Sequence, residues 1–191
     1  VCAVYFSSHN IYYPNTSRAF NKAIVDRDSY EWYRSRHPSA SKHIFVRDIK
    51  KQWYLEGVSN RLDTIDKLIE FLRIETSRYD LICIGSSAGG FAAILFGNVL
   101  MAKEVYSFNG QMSLWSLVEF RSRVAVDPLV FKYRDVKNVS KYYSVVPYLN
   151  NEVNSKYFCS IENGWDYEQY LAIKDTSILC FLFKTSHHGI P

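Results

Sequence analysis

The four cysteines, Cys2, Cys83, Cys159 and Cys180, form no CxxC pair. Each stands alone in an apolar, strand-like run: VCAVYF, LICIG, YFCSI and ILCFLF. A zinc site or a disulfide framework needs clustered, loop-borne cysteines, so neither is expected. Buried free thiols in a reducing compartment are, and with them a cytoplasmic location. Long hydrophobic runs are also missing. The longest nearly apolar stretch, Ala88 to Ala102, is broken by Asn98 and falls short of the ~20 residues of a membrane span. No signal peptide is visible; the sequence begins at Val1 rather than Met, which leaves an upstream segment or domain open. Lys and Arg number 23 against 19 Asp and Glu, a net charge of +4, yet no basic patch gathers them. The densest run, Arg47 to Lys51, is interrupted by Asp48. A nucleic-acid partner is therefore not expected. Repeats and low-complexity tracts are absent.

What is present is ordinary for a folded protein. The chain has 191 residues, 48% hydrophobic and 22% charged, which suits a single domain with a real core. Short apolar strands alternate with helical stretches, the pattern of a parallel α/β sheet. Strands are expected near Cys2–Phe6, Ile44–Arg47, Leu81–Ile84, Val105–Phe108, Tyr157–Ile161 and Ile178–Phe183. Runs such as LICIG and ILCFLF suit strands covered on both faces. The clearest helix runs from Asn60 to Ile74, with Leu62, Ile65, Leu68, Ile69 and Leu72 on one face. A second, apolar nearly all round, is expected from Ala88 to about Leu100, and a third over Tyr167 to Ile173. Two stretches break the alternation, at about 11–41 and 117–154. Both are rich in tyrosine and read as insertions at strand ends, where α/β sheets bind ligands.

The most informative segment is Gly85-Ser86-Ser87-Ala88-Gly89, a GxSxG motif centred on Ser87. It follows a strand and opens an apolar helix, the context this motif requires. A serine on a strained strand-to-helix turn needs small neighbours two before and two after it, here Gly85 and Gly89, with Gly90 behind them. The turn lifts the Ser87 hydroxyl above the sheet and aims the Ala88 N–H, at a helix N-terminus, toward a developing oxyanion. GSSAGG matches neither of the glycine-rich phosphate-binding patterns, GxGxxG or GxxxxGK[ST].

An activated serine needs a base, and the base an orienting acid. In this motif's fold class the chain order is Ser, then Asp or Glu, then His. Only His187 and His188 follow Ser87, just past the last predicted strand. His188 is favoured because Gly189 allows a tight turn beside it; His187 is the alternate. Adjacent side chains diverge and no further ligands stand nearby, so a metal site is not expected. Asp166, after the strand Tyr157–Ile161, is the favoured acid, with Glu162 as alternate; Asp166 could instead simply cap the following helix. Asp175 falls at the opposite rim. The second oxyanion donor is expected after the first strand, from a backbone N–H of Ser7 or Ser8, with His9 and Asn10 lining the pocket. His37 and His43 read as structural.

At these residues the chain resembles the α/β-hydrolase superfamily. More narrowly, FVRDIKKQWYLEGV, IGSSAGGFAAILFG and VYSFNGQ resemble bacterial polysaccharide-biosynthesis proteins, including serine-type capsule O-acetyltransferases. That resemblance implies acetyl transfer from acetyl-CoA to a sugar hydroxyl in a bacterial cell, through an acyl-serine. It puts Ser87, Asp166 and His188 in the triad and Gln111 at the pocket. Two leading strands of a full hydrolase sheet are missing, so the sequence reads as a minimal or a truncated version. Aromatic residues, Trp165 among them, suit stacking against sugar rings, and equally suit core packing.

The expectation is therefore an α/β-hydrolase-like three-layer sandwich. Its mostly parallel sheet has about six strands in the order 2-1-3-4-5-6, with helices on both faces. The expected function is Ser-His-Asp acyl transfer onto a carbohydrate from acetyl-CoA, with no tightly bound cofactor. The alternatives are a carbohydrate esterase or deacetylase acting on a small acyl ester with the same triad, and a catalytically silent assembly subunit. The acyl group, the acceptor and the oligomeric state are not legible.

Overall fold

A computed structural model of the chain describes residues 1–118 and 126–188. Gly189, invoked above for the turn beside His188, and residues 119–125 of the second insertion lie outside them. Six strands make one sheet: β1 (Cys2–Phe6), β2 (Lys42–Val46), β3 (Leu81–Ser86), β4 (Glu104–Phe108), β5 (Asn154–Ser160) and β6 (Leu179–Phe183). Their spatial order is β2-β1-β3-β4-β5-β6, the order expected. Every pairing is parallel, so the sheet is fully rather than mostly parallel. The helices are α1 (Ser17–Phe20), α2 (Ile65–Thr76), α3 (Ala88–Val99), α4 (Pro128–Tyr133), α5 (Lys137–Ser140) and α6 (Gly164–Leu171). The first insertion adds a 3-10 turn at His9–Ile11 and a π-helical turn at Asn21–Asp26.

The main core lies on one face of the sheet. Cys2, Val4, Phe6, Cys83, Val105, Tyr157 and Cys159 point into it, beneath Leu68 and Leu72 of α2 and nearly all of α3. Trp165 and Tyr170 of α6 close its edge. An apolar helix with no polar stripe can only sit where every side is covered, and α3 does so across β1, β3 and β4. On the other face Ala3, Tyr5, Ile82 and Ile84 pack beneath Trp32 and Ala40. Among the described residues that cover is the irregular part of the first insertion rather than a long helix. Farther along the same face, Phe108, Phe158 and Phe181 stack in a row with ring centroids 4.7 and 4.8 Å apart.

Two helix boundaries differ from the pattern reading, for local reasons. α2 begins at Ile65 rather than Asn60 because the Thr64 hydroxyl accepts the Lys67 N–H at 3.1 Å and caps it there. The residues before it form a turn instead, with the Val58 N–H donating to the Leu62 carbonyl at 2.8 Å. α6 begins at Gly164 because Asn163 caps it, its side chain accepting from the Trp165 and Asp166 N–H groups. Asp166 is thus in the first turn and is not the cap. The cysteines are free, and burial raises the thiol pKa of Cys2, Cys83, Cys159 and Cys180. Among the described residues no helix is long and apolar enough to cross a membrane.

Candidate active site

The turn from β3 into α3 puts Ser87 at the carboxyl rim of the sheet. Its backbone has φ 53° and ψ −121°, a region that side-chain-bearing residues rarely occupy. The turn is held by the Ser87 N–H, which donates to the Phe108 carbonyl at 2.8 Å. It also depends on missing side chains. A Cβ on Gly85 would stand 2.0 Å from the Gly89 carbonyl oxygen, and one on Gly89 would stand 2.2 Å from that of Phe6. The small neighbours are therefore needed so that α3 can start directly against β1 and β3.

His188 stands between Ser87 and Asp166. Its Nε2 is 2.9 Å from Ser87 Oγ, and its Nδ1 is 2.8 Å from Asp166 Oδ1. An ionised carboxylate only accepts, so Nδ1 carries the proton and Nε2 is left to accept from the serine hydroxyl. The three side chains come from three connections at one rim: the turn after β3, the first turn of α6 after β5, and the loop after β6. The last loop is pinned to the end of β5. Ser160 Oγ donates to the His187 carbonyl at 2.6 Å, and the Glu162 N–H donates to the Thr185 carbonyl at 3.1 Å. The alternates thus contribute backbone, while their own side chains lie exposed and outside the Ser87–His188–Asp166 chain. Asp175 is likewise exposed.

Asp166 is fully buried, and both its oxygens are engaged. The second accepts from Asn109 Nδ2 at 2.6 Å, an amide that also donates to Ser160 Oγ at 2.9 Å. Asn109 has φ 47°, a conformation asparagine tolerates better than most residues. It was missed in the sequence reading. Its signal was the Asn109-Gly110 pair directly after a strand, which marks a tight turn. Trp165 stacks on the imidazole of His188, with centroids 5.6 Å apart and planes 27° from parallel. That contact restricts ring rotation in a side chain that is 32% exposed. Trp165→Ala should lower kcat roughly 10-fold through loss of ring orientation, a modest share of what positioning contributes to a general base. Steady-state kinetics checks this, and Trp165→Phe should recover most of the loss.

The loop after β1 departs from expectation. The Ser7 N–H donates to the Val46 carbonyl at 3.1 Å, extending the parallel ladder by one residue. The Ser8 N–H donates to Glu31 Oε2 at 2.7 Å. Neither is available to an oxyanion in this arrangement. The next N–H belongs to His9, which opens the 3-10 turn and has no acceptor among the described residues, as expected for the start of a helical turn. Asn10 sits at the exposed rim, its N–H accepted by Ser8 Oγ at 3.0 Å.

The His9 ring packs edge-on against Trp53, centroids 4.2 Å apart. Trp53 Nε1 donates to Gln111 Oε1 at 2.9 Å, and Gln111 Nε2 reaches Ser87 Oγ at 3.4 Å. Gln111 therefore does face the serine, and Trp53 joins it to His9. Trp53 and Tyr54 both have positive φ, at 55° and 63°. Asp48 holds this strained loop, its Oδ2 accepting the Gln52 and Tyr54 N–H groups at 2.6 and 3.1 Å. No glycine or Asn-Gly pair sits at these two positions, so the sequence carried no signal for them.

Burial pushes the Asp48 carboxyl up to about 6 and the His9 imidazole down to about 4. For Asp48 the native state binds more protons than the unfolded chain between its ordinary 3.8 and about 6. Its contribution to stability is thus fully present below that window and lost as pH rises through it. Asp48→Asn should therefore destabilise the protein more at pH 4 than at pH 7.5. Urea midpoints at the two pH values check this, and an equal shift at both contradicts it.

No family model matches the chain, and no curated protein matches it. Solved structures do match. A capsule O-acetyltransferase of Neisseria meningitidis serogroup A, in complex with caged gadolinium, aligns with a TM-score of 0.64 at 14% identity. That match covers 96% of this chain and 78% of that one. A second structure of that enzyme gives a TM-score of 0.61 at 14% identity, covering 96% and 79%. The Glycosylation Associate Protein (Gap123) complex from Streptococcus agalactiae gives 0.56 at 11% identity, covering 95% of this chain and 37% of that one. At such identities the likeness is one of fold, an α/β-hydrolase-like parallel sheet.

Proposed function

We propose that the chain is a serine acyl-transfer enzyme that moves an acetyl group from acetyl-CoA to a hydroxyl of a bacterial surface polysaccharide. The observation that carries this reading is the hydrogen-bonded series from Ser87 through His188 to buried Asp166, on a strained turn at the rim of the sheet. The fold shared with a capsule O-acetyltransferase supports the choice of an acetyl group and a surface-polysaccharide acceptor.

Ser87 Oγ attacks the thioester carbonyl while His188 Nε2 takes its proton. The negative charge on the former carbonyl oxygen is held by the Ala88 N–H at the start of α3 and by the His9 N–H. Each such donor is worth on the order of 3 kcal/mol of barrier. Collapse of the intermediate breaks the C–S bond, and His188 returns the proton to the departing sulfur. The acceptor hydroxyl then gives its proton to His188 and attacks the acyl-serine, and Ser87 leaves with that proton. Asp166 keeps the Nδ1 proton in place and stabilises the imidazolium of both half-reactions. Gln111 steers the serine hydroxyl, buried Trp53 holds Gln111 in place, and half-buried Trp165 offers aromatic surface to a sugar ring. No tightly held cofactor enters the cycle.

A hydrolase reading draws on one feature, the openness of His188, which is 32% exposed and admits water beside the acyl-serine. Incubation with acetyl-CoA, with and without a glycan acceptor, separates the two. An acetyl adduct that persists until the glycan is added supports the transferase, and one that decays equally fast without glycan supports the esterase. If neither acetyl-CoA nor p-nitrophenyl acetate acylates the protein, acetyl transfer is the wrong chemistry.

A further inference from the structure

A second feature opens on the same rim. The segment from Asn10 to Ser29 encloses a surface depression of about 620 Å³. Arg18, Lys22 and Arg27 line it, together with Tyr12 and Tyr13, and no carboxylate is among its lining residues. None of these three cations makes an ion pair or a side-chain hydrogen bond among the described residues. Lys51 adds a fourth charge beside the depression. Its Nζ lies 3.7 Å over the Tyr12 ring and donates to the Tyr12 carbonyl and to Asn15 Oδ1, with no carboxylate partner. Other cations are matched, as Lys42 is by Glu75, Lys50 by Glu56 and Lys141 by Asp66. The two acids of this segment, Asp26 and Asp28, lie outside the lining, and Asp28 is held by Arg47 at 2.9 Å. Like charges gathered on one surface repel one another, and an anion with several oxygens relieves that repulsion.

The backbone here is unusual as well. Lys22 rides on the π-helical turn Asn21–Asp26, a conformation that is rare and concentrated at functional sites. The depression is also joined to the serine. Asn10 lines it and belongs to the turn that carries His9, and His9 leads through Trp53 and Gln111 to Ser87 Oγ. Tyr13 is 79% exposed and presents a free ring beside the cations, suited to stacking on a base or a sugar.

We propose that this depression binds a phosphate ester carried by a substrate of Ser87, with Arg18, Lys22 and Arg27 on the phosphate oxygens. It rests on the acyl-transfer reading for the identity of that substrate. The phosphates belong either to the nucleotide end of the acyl-CoA donor or to an anionic sugar acceptor. The tyrosines beside the cations favour the nucleotide.

Calorimetry with adenosine 3′,5′-bisphosphate and with glucose 1-phosphate tests the pocket without relying on catalysis. Adenosine bisphosphate should bind the wild-type protein, more weakly as salt is raised, and should lose at least 10-fold in affinity to the Arg18→Ala/Lys22→Ala/Arg27→Ala variant. Lys22→Glu alone should weaken it several-fold and serves as a milder second variant. Binding of glucose 1-phosphate alone, lost in the same variants, assigns the phosphate to the acceptor and keeps the site. Binding of neither probe, or unchanged binding in both variants, overturns the proposal. Kinetics then separates this proposal from the functional reading. In the triple variant the ratio of kcat/KM for acetyl-CoA to that for p-nitrophenyl acetate, which has no phosphate, should fall about 30-fold, mostly in KM. Phosphate binding in a protein that turns over neither ester would sink the acyl-transfer reading and leave the pocket standing.

Discussion

Ser87→Ala is expected to remove the acetyl adduct and to lower kcat for p-nitrophenyl acetate by on the order of 10^6-fold, the loss that follows when a triad serine is deleted. The residue left in its place keeps the same backbone, because alanine carries the same Cβ into the same φ of 53°. Structure and stability should therefore change little, and intact-mass spectrometry together with thermal unfolding checks both statements. Ser87→Gly should be equally inactive yet more stable than Ser87→Ala by about 1 kcal/mol, since glycine occupies that conformation without strain. A stabilised but dead glycine variant would mark the strain as the cost of presenting the hydroxyl. Residual turnover in either variant near the wild-type rate would place the nucleophile elsewhere.

Asp166→Asn is expected to lower kcat about 10^4-fold while leaving the fold intact. The reason is specific to this site. Asn109 Nδ2 points a donor at one oxygen of residue 166, at 2.6 Å. An asparagine at 166 must meet that donor with its carbonyl oxygen, which turns its own NH2 toward His188 Nδ1. The imidazole then accepts at Nδ1 and carries its proton on Nε2, where it faces Ser87 as a donor and cannot act as a base. Adding Asn109→Ala to Asp166→Asn removes the constraint and lets the amide turn over. The double variant should recover part of the lost activity, even though Asn109→Ala alone is harmful. Purely additive losses in that cycle would mean that Asn109 does not set the orientation.

Much of this arrangement was legible in the residues. Alternating apolar strands and helices announced a parallel sheet, and β1 and β3 are indeed buried along their length. The run ILCFLF misled on one point: β6 is the edge strand and, among the described residues, lies largely open, with Leu179, Phe181, Leu182 and Phe183 exposed rather than covered on both faces. The glycines around Ser87 announced the turn because no other residue fits beside the Gly89 and Phe6 carbonyls. Order narrowed the partners of Ser87 to Asp166 or Glu162 and His188 or His187, because loops that follow successive strands of a parallel sheet share one rim; the neighbouring glycines, Gly164 and Gly189, favoured Asp166 and His188. Such inferences need only local pattern and topology.

Other features needed the folded chain. Ser7 and Ser8 read as free donors, but the ladder to Val46 and the carboxylate of Glu31, 23 residues downstream of Ser8, occupy their N–H groups. Asn109 looked like part of a turn, and only its approach to Asp166 makes it an orienting group. Trp53 and Asp48 are ordinary residues in sequence, and their link to Ser87 arises from a loop with left-handed residues that carries no glycine at those positions. The cations around the depression, Arg18, Lys22 and Arg27 of the first insertion and Lys51 beyond β2, are spaced apart in sequence, so no patch was visible. Composition and periodicity determine which segments become strands and helices, and therefore which loops face one another. Hydrogen-bond partners, strain and charge clustering depend on contacts between residues far apart in the chain, and those are decided only when the sheet brings its loops together.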